Sequence, residues 1–220
     1  MAKYLTEAIG TFFLVLTIGM TGGNDLAPLA IGAALMVMIF MGGHISGAHY
    51  NPAVSLGVFL RGKLDVRDLV LYIASQLVGA ILAAHAVFVL KQSAMVVAPA
   101  ANASVFQSLL AEVLFTFALV LVVLNVATAK KTQNNSFYGL AIGFTVLAGA
   151  FSVGGISGGA FNPAVGTGPA IVAAFVGYRN PVGEDIKGLE ALVNVWLYII
   201  GPCAGGALAA MVFLLQEKEA

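Results

Sequence analysis

The tripeptide Asn-Pro-Ala occurs twice, as Asn51-Pro52-Ala53 and as Asn162-Pro163-Ala164. Each copy has the marks of a helix start: Asn suits the N-cap, Pro suits the first helical position, and an apolar run follows. The run from Pro52 to Leu60 is nine residues, about 14 Å of helix and roughly half of a ~30 Å hydrocarbon core. One such piece cannot span a membrane, whereas two that meet end to end nearly can. The flanks repeat as well. Gly-Gly and Ile-Ser-Gly precede both copies, and Val54 and Val165 follow them, so two unrelated Asn-Pro turns are a poor explanation.

The rest of the chain gives such half-helices a membrane to sit in. It is 60% apolar and only 9% charged, against about 25% charged in a soluble domain. The sequence therefore reads as an all-α integral membrane protein that contacts lipid. Zero net charge gives no argument for nucleic acid. Cys203 is the single cysteine, which excludes an internal disulfide or a thiolate cluster and reads as a packing residue. Glu7 interrupts the first apolar run, so that run is not a cleavable signal peptide. No nucleophile–base set or metal site is evident, so neither an enzyme nor a cofactor is expected.

Six full spans are expected at Tyr4–Met20, Pro28–Met41, Leu69–Leu90, Phe106–Ala127, Phe137–Phe151 and Leu192–Leu215. The six or so Gly- and Ser-rich residues before each Asn cannot be helix throughout. Lys3, Arg61, Lys63, Arg67, Lys130, Lys131 and Lys218 fall on one side; Lys91, Arg179 and Lys187 fall on the other. That bias places both termini in the cytoplasm, and the short tails point to the cell membrane of a prokaryote.

The two halves, about 1–104 and 105–220, repeat each other within one channel domain. Glu7 through Leu16 matches Glu112 through Leu121 at an offset of 105, the Asn-Pro-Ala copies at 111, and Tyr72-Ile73 matches Tyr198-Ile199 at 126. The last jump places an insertion near 177–189. Three full spans per half is an odd number, so the repeats are inverted and the two loops dip in from opposite faces. Non-helical backbone at membrane depth must be buried in protein or line a wet cavity, which argues for a pore or central binding site where the halves meet. Glu7 and Glu112 lie deep in their spans, and their symmetric placement favours bracing of each re-entrant loop over a proton relay. Asn51 and Asn162 can cap and also donate amide N–H groups to a passing oxygen. A water accepting from both has its lone pairs occupied and cannot take a proton from its neighbour. The two helix N-termini, each carrying roughly half a positive charge, oppose cations there.

With the Ser-Gly-Ala-His-Tyr-Asn-Pro-Ala-Val run, the second Asn-Pro-Ala-Val and the repeated Glu, the whole chain resembles the aquaporin, or major intrinsic protein, family. The resemblance implies a right-handed bundle of six transmembrane helices plus two re-entrant half-helices, assembled as a homotetramer with one pore per subunit. It also implies a narrow outer selectivity ring at Ile31, Ala150, Gly159 and Val165. Water-selective relatives usually have Arg where this chain has Val165, and often His where it has Ala150. The ring here is therefore expected to be wider and less polar. Water and small uncharged solutes are the expected cargo: glycerol, urea, ammonia, hydrogen peroxide or neutral metalloid hydroxides. Arg179 in the outer connection is an alternative source of the missing cation. His49 is expected beside the pore, His44 at its cytoplasmic mouth, and His85 in packing. The competing functions are a secondary transporter built on inverted repeats and an adhesive or structural membrane protein with a closed pore; the Asn, Gly and Ala at the breaks favour the channel over the transporter.

Overall fold

A computed structural model describes residues 1–179 and 183–219. Its long helices are α1 (Ala2–Thr21), α2 (Ala27–Ser46), α4 (Val66–Lys91), α5 (Val105–Val123), α6 (Tyr138–Ser157) and α8 (Val195–Glu219). The half-helices are α3 (Pro52–Leu60) and α7 (Pro163–Val176). Among the described residues, six helical stretches are long and apolar enough to cross a membrane.

Four differences from the sequence expectation have simple causes. First, α2 and α6 run on through Gly42-Gly43 and Gly154-Gly155 to Ser46 and Ser157. Glycine inside a helix costs only about 1 kcal/mol, so these spans outrun their expected ends at Met41 and Phe151 and leave 47–50 and 158–161 as the non-helical stretches. Second, α7 is 14 residues long, against nine in α3, and continues past the internal Pro169. Third, the expected span Phe106–Ala127 gives way at Leu124 to an ordered connection. It contains a π turn (Leu124–Thr128) and a 3-10 turn (Lys130–Thr132). The Asn135 amide fastens it to the carbonyls of Val126 and Thr132, both at 2.7 Å. Fourth, His85 is exposed on α4 beside Phe88, not packed inside. The insertion near 177–189 forms a two-strand hairpin, β1 (Tyr178–Arg179) against β2 (Asp185–Ile186), followed by a 3-10 turn (Gly188–Leu192); residues 180–182 lie outside the described residues.

The packing suits a lipid solvent. Bulky side chains such as Phe13, Leu82, Phe106, Phe144 and Met211 point outward, while Ala80, Ala83, Ala84, Ala209 and Ala210 are buried between helices. Lipid tails are as apolar as these side chains, so close contact of small residues holds the helices together. The repeats pack alike, α1 on α2 and α4, α5 on α6 and α8, while α2 crosses α6 between the halves. At that crossing Gly32 and Gly143, related by the offset of 111, face each other. A Cβ on Gly143 would stand 2.5 Å from the Gly32 carbonyl oxygen, and one on Gly32 would stand 2.7 Å from the Gly143 oxygen. Ion pairs of Lys3 with Asp68 and of Arg61 with Glu217 gather the N-terminus, the α3–α4 turn and the end of α8 on one face.

Candidate functional site: a conduit between two half-helices

Both re-entrant loops leave their helix through the same backbone device. Gly47 and Gly158 take left-handed φ values of 86° and 87°, and their N–H groups bond back to Gly43 and Gly154. Tyr50 and Phe161 then adopt φ of 50° and 49°, a region that side-chain-bearing residues enter only when their surroundings hold them there.

The buried glutamates are what hold them. Glu7 Oε1 accepts from Ser46 Oγ at 2.7 Å and from the His49 N–H at 3.0 Å, and its Oε2 accepts from the Tyr50 N–H at 2.7 Å. Glu112 repeats the pattern with Ser157 Oγ at 2.7 Å, the Ala160 N–H at 3.0 Å and the Phe161 N–H at 2.7 Å. A second pair of braces, which the sequence marked as a repeat without assigning it a task, comes from α4 and α8. The Tyr72 hydroxyl donates to the Ser46 carbonyl at 2.6 Å, and the Tyr198 hydroxyl donates to that of Ser157. The offset of 126 that equates these tyrosines in the chain was the available signal.

The asparagines come next. Asn51 Oδ1 accepts from the Ala53 N–H at 2.8 Å and caps α3; Asn162 Oδ1 accepts from the Ala164 N–H at 2.9 Å and caps α7. Each amide nitrogen also crosses to the other loop. Asn51 Nδ2 donates to the Phe161 carbonyl at 2.8 Å and Asn162 Nδ2 donates to the Tyr50 carbonyl at 2.9 Å. An amide has two N–H donors, so each Asn retains one hydrogen beyond this cross-link. Both side chains line a cavity of about 370 Å³. Pro52 and Ala53 at the start of α3 and Pro163 and Ala164 at the start of α7 are all buried.

The wall of that cavity follows the repeat. Ile31, Leu35 and Ile39 of α2 and Ile142, Val146 and Ala150 of α6 line it at helical spacing, each pair offset by 111. All four residues expected in the outer ring, Ile31, Ala150, Gly159 and Val165, are among the lining residues. A Cβ on Gly159 would sit 3.7 Å from Ala150 Cα, so these two are immediate neighbours. The cavity reaches Gly22, Gly23, Ala27 and Pro28, on the face away from the termini. Among the described residues lining it there is no Asp, Glu, Lys or Arg.

His49 lies in the wall, but His44 is exposed near the end of α2 and is not among the lining residues. The His49 ring is held by a relay. Gln76 Nε2 donates to Glu7 Oε2 at 2.8 Å and to Ser55 Oγ at 3.0 Å; Ser55 Oγ lies 3.0 Å from His49 Nδ1. Ser55 Oγ has a second lone pair and a proton left after accepting from Gln76, so it serves the His49 ring in either tautomer. The second half replaces this relay with Ala160, Gly166 and Pro202, so sequence symmetry alone did not point to it. Arg179 does not enter the central cavity. It borders an outer cleft with Lys91, and that cleft shares Ile18, Gly22, Val97 and Gly158 with the conduit. The Arg179 Nε donates to the Gly183 carbonyl at 2.9 Å.

Known proteins carry the same pattern. The family described as MIP, major intrinsic protein, matches residues 1–213. The chain is 35% identical to "Glycerol uptake facilitator protein-like 6" of Lactiplantibacillus plantarum, with 100% of both chains covered. It is 32% identical to "Aquaporin NIP1-1" of Zea mays, over 97% of this chain and 74% of that one. In fold it is similar to the aquaglyceroporin from Plasmodium falciparum, with a TM-score of 0.81 at 22% identity over 96% of this chain and 94% of that one. Six apolar helices, two half-helices joined through crossed asparagines, and these matches together place the chain in the major intrinsic protein family, whose members are membrane channels for water and small solutes.

Proposed function

We propose that this chain is a passive channel for water and small uncharged solutes, among them glycerol, urea, ammonia, hydrogen peroxide and neutral metalloid hydroxides, and that it excludes ions and protons. The observation that carries this reading is the crossed asparagine pair. Each amide caps its own half-helix, ties the opposite loop, and keeps one N–H for a solute oxygen. The positive ends of α3 and α7 meet at that point and repel cations. A wall whose described residues include no Asp, Glu, Lys or Arg suits neutral molecules and offers a coupling ion no carboxylate, which favours a channel over a secondary transporter.

The outer ring of Ile31, Ala150, Gly159 and Val165 acts as a wide, weakly polar filter, with no guanidinium to hold solute oxygens. The protein works as a homotetramer in the cell membrane of a prokaryote, with both termini in the cytoplasm, where the positive-inside bias puts them. Stopped-flow light scattering on proteoliposomes tests the reading. The wild type is expected to pass water and glycerol faster than empty liposomes. Val165→Arg narrows the ring and is expected to cut glycerol flux by about tenfold or more. Unchanged glycerol flux in Val165→Arg removes Val165 from the filter, and absent flux of every neutral solute in the wild type removes the channel reading.

A further inference from the structure

The inverted repeat gives the outer ring a mirror image on the other side of the asparagines. Shifting by 111 turns Ile31, Ala150, Gly159 and Val165 into Ile142, Ile39, Ala48 and Val54, and all four of these also line the cavity. The two rings differ at two places only. Ile39 stands where the outer ring has Ala150, and Ala48 stands where it has Gly159. The inner ring therefore carries about four more side-chain carbons around the same symmetric backbone frame, a difference of the size that discriminates between small solutes.

Two independent features show that this bulk is held in place. Ala48 sits at φ 53°, matching Gly159 at φ 63°. Glycine takes that conformation freely, whereas a Cβ there costs about 1 kcal/mol or more. The fold thus bears strain to carry a methyl group at a wall position, and such strain concentrates at functional sites. The Tyr50 hydroxyl donates to the Met38 carbonyl at 3.0 Å and so fixes the α2 backbone next to Ile39. Its counterpart Phe161 has no hydroxyl, and Ala150 has no such anchor. Ile39 itself is 2% exposed.

We infer that the size-selecting constriction of this channel is the inner ring of Ile142, Ile39, Ala48 and Val54, on the side of the termini, and that Ile39 is its specificity-determining residue. The inference rests on the channel reading above. It assigns discrimination by carbon-skeleton size to Ile39: three-carbon polyols and urea pass, and five-carbon polyols are held back.

The test is the ribitol-to-glycerol permeability ratio in proteoliposomes of wild type, Ile39→Ala and Ile39→Val. The ratio is expected to rise about tenfold in Ile39→Ala and by a smaller factor in Ile39→Val, which removes one methyl group and preserves the fold. Size-exclusion chromatography of protein re-extracted from each liposome sample measures the folded, inserted protein. If both variants conduct water and keep the wild-type ratio within about twofold, the constriction is not at Ile39 and the inference fails, although the channel reading stands. If wild-type liposomes conduct no neutral solute, the channel reading itself fails, and the two failures are told apart.

Discussion

Replacing Glu112 by Gln tests whether the buried carboxylates hold the re-entrant loops. Glu112 is 0% exposed and takes three hydrogen bonds, two on Oε1 from Ser157 and Ala160 and one on Oε2 from Phe161. Gln keeps the shape, but one oxygen becomes an amine that must face a donor. The least costly orientation turns the amine toward the Phe161 N–H and leaves the Ser157 and Ala160 donors on a neutral oxygen. A bond to a charged acceptor contributes about 1.5–3 kcal/mol and one to a neutral acceptor about 0.5–1.5 kcal/mol. One charged bond is lost and two are downgraded, a loss of about 3.5–6 kcal/mol. In a chain of this size each kcal/mol moves the unfolding midpoint by about 2–4 °C, so Glu112→Gln is expected to unfold about 7–24 °C below the wild type. Thermal unfolding of the purified protein in detergent, read through the single Trp196, measures this. Glu190→Gln, on an exposed side chain, serves as the control with no expected change. A fall below about 3 °C in Glu112→Gln would refute the reasoning, because the three donors would then not depend on an ionised acceptor.

Other substitutions probe the rest of the frame. Tyr198→Phe removes one neutral hydrogen bond to the Ser157 carbonyl. It is expected to cost about 1 kcal/mol and to lower the midpoint by about 2–4 °C in the same melt, with water flux retained. Gly143→Val puts a branched side chain where a Cβ already stands 2.5 Å from the Gly32 carbonyl. It is expected to keep α2 and α6 apart and to abolish the monodisperse peak in size-exclusion chromatography of the detergent-extracted protein; Gly155→Val, where a Cβ meets nothing within 4 Å, is expected to leave the peak intact.

The sequence was most informative where physics is unforgiving. Lipid forces every backbone group to find a partner inside the protein, so apolar runs translate directly into helices α1, α2, α4, α5, α6 and α8. The Asn-Pro-Ala boxes mark α3 and α7 to the residue at their N-termini, because Asn at the cap and Pro at the first position have few alternative uses there. C-terminal ends were poorly marked. Gly42-Gly43 and Gly154-Gly155 look like helix breakers in isolation, yet the helical backbone continues through them until Gly47 and Gly158 supply the left-handed turn. Among the site residues, Glu7 and Glu112 stood out because a charge in an apolar run is rare. Tyr72 and Tyr198 did not, since an aromatic residue in a span has many ordinary uses and only the fold reveals that both hydroxyls reach the same loop carbonyl.

The comparison of the two halves also separates what the repeat must preserve from what it is free to change. The glutamates, the loop serines, the tyrosine hydroxyls and the asparagines are kept in both halves, and each one satisfies a backbone group that would otherwise be buried unpaired. Losing any of them costs energy in either half, whatever the channel carries. The flanks are under no such demand, and they diverge. The first half has His49 fixed by Ser55 and Gln76 and stacked edge-on against Tyr72 at 5.1 Å. The second has Ala160 and Gly166, and Tyr198 fills the space where a Gly166 side chain would stand. Ile39 against Ala150 and Ala48 against Gly159 diverge in the same way. The cavity wall therefore carries smaller side chains on the side away from the termini, and bulkier ones with the His49 imidazole on the other. A symmetric scaffold does not make a symmetric cavity, and the residues at which the two halves disagree set how its two sides differ.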